Sequence, residues 1–153
     1  MKVRKILIYL FSLVLVTACE RWDQIESRYD NFHGAKPAIR SGWVPEYLPE
    51  SAESILEVHN IDTSETQLMA SISLGSMASL SAVCKSVDNS AVDYPLSGIR
   101  PWWPKDLTRD GESSRRSKNE RWRLFLCGEY EFVAINISES TFYFWRLGSL
   151  LRR

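Results

Sequence analysis

Histidine and cysteine are scarce in this chain, two and three among 153 residues. That scarcity excludes whole classes of chemistry. A catalytic zinc site wants three protein ligands and an open position, and His33 and His59 stand far apart in sequence. Cys19, Cys84 and Cys127 contain no CxxC pair, the spacing expected of a redox or metal site. No GxSxG elbow or glycine-rich phosphate loop occurs, and Ser113 and Ser114 have no nearby histidine to activate them, so no nucleophile is identifiable. Net basic charge is also lacking: Lys and Arg number 19 against 19 Asp and Glu, unlike the basic face of a nucleic-acid binder. Internal repeats and low-complexity tracts are missing, and there is one membrane-relevant apolar run.

That run is Ile6 to Val16, broken only by Ser12 and preceded by Lys2, Arg4 and Lys5. It falls short of the about 20 residues that a spanning helix wants. A charged start, a short apolar core and then small residues make the layout of a secretory signal. The segment Leu15-Val16-Thr17-Ala18-Cys19 resembles the lipobox of bacterial lipoproteins, in which the cysteine receives a diacylglycerol and becomes the first residue. Small residues admit the peptidase, and the thiol is the group alkylated. The resemblance implies a protein attached to a membrane through lipid on Cys19 without spanning it. Glu20 stands where an aspartate tends to retain such proteins at the inner membrane, so the expected location is the outer membrane, facing the periplasm.

Removal of the first 18 residues leaves 135 and takes three of the 19 basic residues, leaving 16 against 19 acids. This is a single domain's length. The expected layout is a signal over 1–18, a lipidated N-terminus with a short amphipathic helix over 19–36, and one domain over 37–149. Cys84 and Cys127, an even pair in an oxidising compartment, are expected to form a disulfide, with a redox or metal pair as the alternative.

The spacing of Trp22, Ile25, Tyr29 and Phe32 predicts one face of a short helix that Gly34 ends and Pro37 cannot continue. The apolar stripe would pack on the domain or lie on the membrane. Pro45 and Pro49 exclude a helix from the next segment. Ser54 to Asn60 and Thr66 to Leu74 read as a hairpin around a polar turn, the second strand alternating as a half-buried strand does. Gly75 to Val87 reads as a helix, with Met77, Leu80 and Cys84 on one face. Residues 88–120 are irregular, and a loop that long is functional or disordered. Arg121 to Cys127, Tyr130 to Ser138 and Thr141 to Leu147 are aromatic and β-branched runs joined by short turns, a meander. The fold class expected is α+β, with about five antiparallel strands, the hairpin plus the C-terminal meander, covered by one or two short helices.

Arg40-Ser41-Gly42-Trp43-Val44-Pro45, then Leu48-Pro49, Ser51-Ala52, Ile55, Glu57, His59 and Asp62-Thr63 follow a GWxPxxLPxSA and IxExHxxDT pattern. This resembles a family of bacterial lipoproteins with a YbbD-head-like domain, uncharacterised as to activity. The match is dense over residues 40–63. The resemblance implies a small exported domain and transfers no catalytic residue.

Two constellations remain as candidate sites. Glu57, His59 and Asp62 form the polar cluster: on a strand the first two share a face, and Asp62 in the turn could fold back to them. Such a trio could hold zinc or share a proton, or it could be a structural network ordering the hairpin. Pro101-Trp102-Trp103-Pro104 is the candidate binding surface, two rings held by prolines, suited to a protein partner or sugar faces, unless both rings cap the core. Arg115, Arg116, Lys118, Arg121 and Arg123 form a basic run that could meet anionic headgroups, diluted by Glu112 and Glu120. No cofactor, no metal and no nucleic acid is expected. The favoured function is a membrane-tethered binding module of the envelope with an unknown protein or glycan partner. The alternatives are an envelope enzyme using Glu57, His59 and Asp62, and an inhibitor or immunity-type lipoprotein. Cys19→Ala is expected to abolish palmitate incorporation and release the chain from the membrane pellet; a labelled Cys19→Ala protein would place the lipid elsewhere.

Overall fold

The computed structural model describes residues 23–95, 100–111 and 121–148. Residues 1–18, expected to be a signal, Cys19 and the basic residues Arg115, Arg116 and Lys118 lie outside the described residues. Within them the fold is α+β: strands β1 (Gln24–Asn31), β2 (Glu53–Asn60), β3 (Thr66–Ser71), β4 (Lys85–Val87), β5 (Trp122–Leu126), β6 (Glu131–Asn136) and β7 (Thr141–Arg146), with helices α1 (Phe32–Arg40) and α2 (Met77–Val83). All strand pairs are antiparallel, in the order β1-β2-β3-β7-β6-β5-β4. The sheet has seven strands, not about five. The two extra ones, β1 and β4, are its edges.

β1 corrects the helix expected around Trp22 to Phe32. Ile25 and Tyr29, four apart, share a face of a strand as well as of a helix, and Gln24, Glu26, Arg28 and Asp30 alternate with Ile25, Ser27 and Tyr29. The β2 ladder, running from Gln24 opposite Asn60 to Asn31 opposite Glu53, decides the matter. Charged side chains suit an edge strand because they discourage pairing with another chain. The helix instead begins where β1 ends: the Asn31 side chain accepts from the Gly34 backbone N–H at 3.1 Å, an N-cap. Gly34 and Pro37 therefore lie inside a helix, not beyond one. Residues 24–31 are thus paired into the sheet, and residues 32–36 begin α1.

The two prolines after α1 each open a tight turn. The Leu48 N–H reaches the Pro45 carbonyl at 3.1 Å and the Ala52 N–H reaches that of Pro49 at 2.9 Å. The turns drop Val44, Leu48 and Ala52 into the core between α1 and the sheet, beside Ile55, Leu68 and Phe144. α2 adds Leu80 to the same layer. The helix expected over 75–87 is shorter than that: Leu74–Ser76 is a 3-10 turn, and the chain beyond Cys84 pairs with β5 as β4. Lys85 stands opposite Leu126, so Cys84 and Cys127 face each other at the end of that ladder and are disulfide-bonded.

The opposite face of the sheet is covered by the irregular stretch after β4. It contains 3-10 turns at Asn89–Ala91, Lys105–Leu107 and Arg109–Gly111, and it lays Tyr94, Trp103 and Leu107 on Trp122, Phe132, Tyr143 and Trp145. Both faces of the central strands are therefore buried. This corrects the half-buried reading of β3: Gln67 is as fully buried as Leu68, and the strand ends at Ser71, leaving Leu74 exposed. Phe142, Phe144 and Trp145 on β7 are completely buried, and a strand with both faces covered reads as a continuous apolar run.

The disulfide closes a loop of 43 positions, worth about 4 kcal/mol in the chain-entropy model. Cys84→Ser with Cys127→Ser is expected to lower unfolding free energy by that order in urea titrations. Reductant should do the same to the wild type, and unchanged stability in both would show that the bridge restrains nothing.

Candidate polar site beneath Trp43

β2 carries Glu57 and His59 on one face, two positions apart, as period-two alternation requires. Glu57 is 0% exposed and His59 5%. His59 Nδ1 lies 2.7 Å from Glu57 Oε1. The neighbours opposite are Ser27 and Leu68 for Glu57, and Ile25 and Thr66 for His59. Trp43 closes the site from above, its ring stacked on that of His59 with centroids 3.8 Å apart and planes at 11°.

Trp43 is held there by backbone geometry. Gly42 has φ +78°, a left-handed conformation open to glycine, and it turns the chain back after α1. The Trp43 N–H then reaches the Ala38 carbonyl at 3.0 Å. Arg146 at the end of β7 fastens this turn, donating from Nη1 to the Gly42 carbonyl at 2.9 Å and from Nε to Glu131 at 2.9 Å. Tyr47 donates to the other Glu131 oxygen at 2.9 Å. Neither Trp43 nor the Arg146–Glu131–Tyr47 clamp is marked by spacing in the sequence. Each arises from segments that meet only in the fold.

Burial disfavours charge on both members of the pair. It pushes the Glu57 carboxyl up to about 8 and the His59 imidazole below its ordinary value. At neutral pH the two share a hydrogen bond as neutral groups, and Glu57 Oε2 finds no hydrogen-bond partner among the described residues. Asp62 does not join them. It lies exposed in the β2–β3 turn, which Asn60 organises by accepting from the Asp62 and Thr63 backbone N–H groups at 2.9 and 3.0 Å. The expected trio is therefore a pair, because the Asn60 amide bonds the turn backbone locally and Asp62 is left exposed. Among the described residues no three His, Cys, Asp or Glu side chains gather as metal ligands, and His33 is exposed on α1.

The tryptophan loop is drawn mostly inward. Trp103 is 4% exposed, donates from Nε1 to the Leu107 carbonyl at 3.0 Å, and meets Tyr143 and Trp145 edge to face. As a core residue it offers no surface to a partner. Trp102 is half-buried against it, with centroids 6.1 Å apart. Of the basic run, Arg121 pairs with Glu139 and Arg123 is exposed. An open hollow of about 360 Å³ lies at the far end of the sheet, lined by Ser51, Glu53, Ser71, Ile72 and Ser73.

The pair makes stability depend on pH with a definite sign. Glu57 keeps its proton in the fold and loses it near 4.5 when unfolded. Its contribution is full below pH 4.5 and declines as pH rises to about 8. The depressed His59 works oppositely, but only below its ordinary 6.5. Between pH 6.5 and 8 wild type is expected to lose about 2 kcal/mol relative to Glu57→Gln. Parallel urea-derived stabilities of the two proteins across that window would show that Glu57 is ionised in the fold.

Residues 23–69, from the start of β1 through most of β3, match the family model of the YbbD head domain. No curated protein and no solved structure matches the chain. The matched stretch, under a third of the chain, contains the hairpin, the proline turns and the Trp43–His59–Glu57 stack, and over it the chain is similar to the YbbD head domain.

Proposed function

We propose that this chain is a binding module of the bacterial cell envelope, tethered through lipid on Cys19 and engaging an envelope protein or glycan. One observation carries the choice of binding over catalysis. The acid–base pair that could do chemistry is sealed, with Glu57 and His59 at 0% and 5% exposure beneath the Trp43 ring. A general base must come within hydrogen-bond reach of the proton it abstracts, and a substrate meets Trp43 before it meets either group. The pair serves instead to order the β1–β2–β3 end of the domain.

Support for a lipid-anchored address comes from the lipobox-like Leu15 to Cys19 and from the Cys84–Cys127 bridge, which suits an oxidising compartment. No described helix is long and apolar enough to cross a membrane. Trp102 is the aromatic of the proline loop with area left for a partner, and tryptophan is enriched among residues that dominate binding energy.

The test is affinity capture of the lipidated protein from cross-linked cells beside Trp102→Ala. Trp103→Ala is unsuitable, since removing a buried tryptophan costs about 3–5 kcal/mol. A partner recovered with wild type and lost several-fold with a folded Trp102→Ala is the expected result. Equal recovery would remove the loop as the binding surface, and hydrolysis lost in His59→Ala would replace binding with catalysis.

A further inference from the structure

The geometry points to a membrane-facing corner of the domain: the start of β1 and the β2–β3 turn, with Ile25 and Ile61 seated against the headgroup layer of the bilayer that holds the Cys19 lipid. The inference rests on the lipid-anchor reading and deepens it by fixing an orientation.

The first observation is the length of chain available. β1 is preceded by Asp23, four positions after Cys19, and four residues span at most about 14 Å even when fully extended. That is shorter than β1 itself, whose eight residues rise about 23 Å from one end to the other. A lipid on Cys19 therefore holds the Gln24 end of β1 close to the bilayer.

The second observation is what surrounds that end. The Ile61 backbone N–H donates to the Asp23 carbonyl at 3.0 Å, so the β2–β3 turn sits beside the point where the tether enters the domain. Ile25 stands opposite His59 on the neighbouring ladder. Ile61 is 50% exposed and Ile25 45%, and they are two of the four large apolar side chains exposed among the described residues; the other two, Leu74 and Val83, lie elsewhere. Exposed apolar side chains gathered at one place mark an interaction site more than scattered ones do. These two gather where the anchor must reach.

Charge selects the kind of surface. Segments 23–25 and 60–63 carry Asp23 and Asp62 and no lysine or arginine, and Arg100 beside them donates to Gln24 at 3.0 Å and is ion-paired with Glu26 at 2.7 Å. Such a corner is not drawn to anionic lipid, whose attraction works through basic residues. It fits zwitterionic headgroups, with the isoleucines reaching into the boundary between headgroups and acyl chains. The β6–β7 turn, with Ser138 exposed, is then on the far side of the sheet, facing away from the bilayer.

The test uses the full protein lipidated on Cys19, reconstituted in phosphatidylcholine–phosphatidylethanolamine vesicles. Ile61→Cys, Ile25→Cys and Ser138→Cys are each labelled with a polarity-sensitive dye. With Cys19 alkylated and Cys84 bonded to Cys127, the introduced thiol is the one that reacts. The dye at 61 and at 25 is expected to shift to the blue and lose iodide quenching several-fold on vesicles, while the dye at 138 stays as quenchable as in detergent-free buffer. Co-flotation and the mass of the N-terminal peptide are read on the same samples. Equal quenching at 61 and 138 in protein that co-floats and carries lipid would overturn the orientation and leave the anchor standing. Protein without lipid, failing to co-float, would overturn both.

Discussion

The pairing of β3 with β7 is the interaction on which the rest of the structure depends. It joins Thr66–Ser71 to Thr141–Arg146 across about half the chain, in six successive register pairs. Without it the molecule is two fragments: an N-terminal hairpin with an edge strand, and a C-terminal meander with a short partner. The C-terminal fragment has its own aromatic cover in the loop after β4, but the layer on the other face is shared between the two. α1 and the proline turns pack across both, since Val44 and Leu48 share a cluster with Leu68 of β3 and Phe144 of β7. Long-range antiparallel pairing costs loop-closure entropy before it returns anything. The disulfide between Cys84 and Cys127 offsets part of that cost on the distal side by tying α2 to the end of β5.

The central position of β3 and β7 also explains why polar groups are buried beside them. β2 pairs directly with β3, and the face carrying Ile55, Glu57 and His59 is roofed by the same segment that supplies Val44. A carboxyl and an imidazole in such a place lower their cost by staying neutral and bonding each other. Trp43 excludes water from the pair, and Arg146 holds the loop that carries Trp43. Arg146 lies at the end of β7, opposite Thr66 and Glu131, so the strand that unites the sheet also latches the roof over the polar pair. Sheet continuity and closure of the site are one constraint.

The region matching the YbbD head model ends within β3, before the meander begins. It therefore covers the hairpin and its roof, while the strands completing the sheet come from the remainder of the chain. Residues 23–69 expose a β3 edge that β7 fills, and β7 buries aromatic side chains on both faces in doing so.

Sequence alone determined the features that depend on neighbours close along the chain. The β2–β3 hairpin and the three C-terminal strands follow from runs of alternating or aromatic residues bounded by turn formers. The pairing of Cys84 with Cys127 agrees with the expectation drawn from the two cysteines left once Cys19 is set aside. The shared face of Glu57 and His59 followed from strand periodicity. Tertiary structure decided the rest. β1 is a strand because β2 offers it a ladder, against a spacing that fits a helix equally well. β4 is three residues long, too short for any periodic signal. Trp103 is core and Trp102 half-buried because the loop after β4 returns to cover an aromatic face, and Trp43 stacks on His59 through a turn fastened from β7. Periodicity reports which side of an element is apolar. Which partner covers that side is set by contacts between residues remote in sequence, and these leave no local pattern to read.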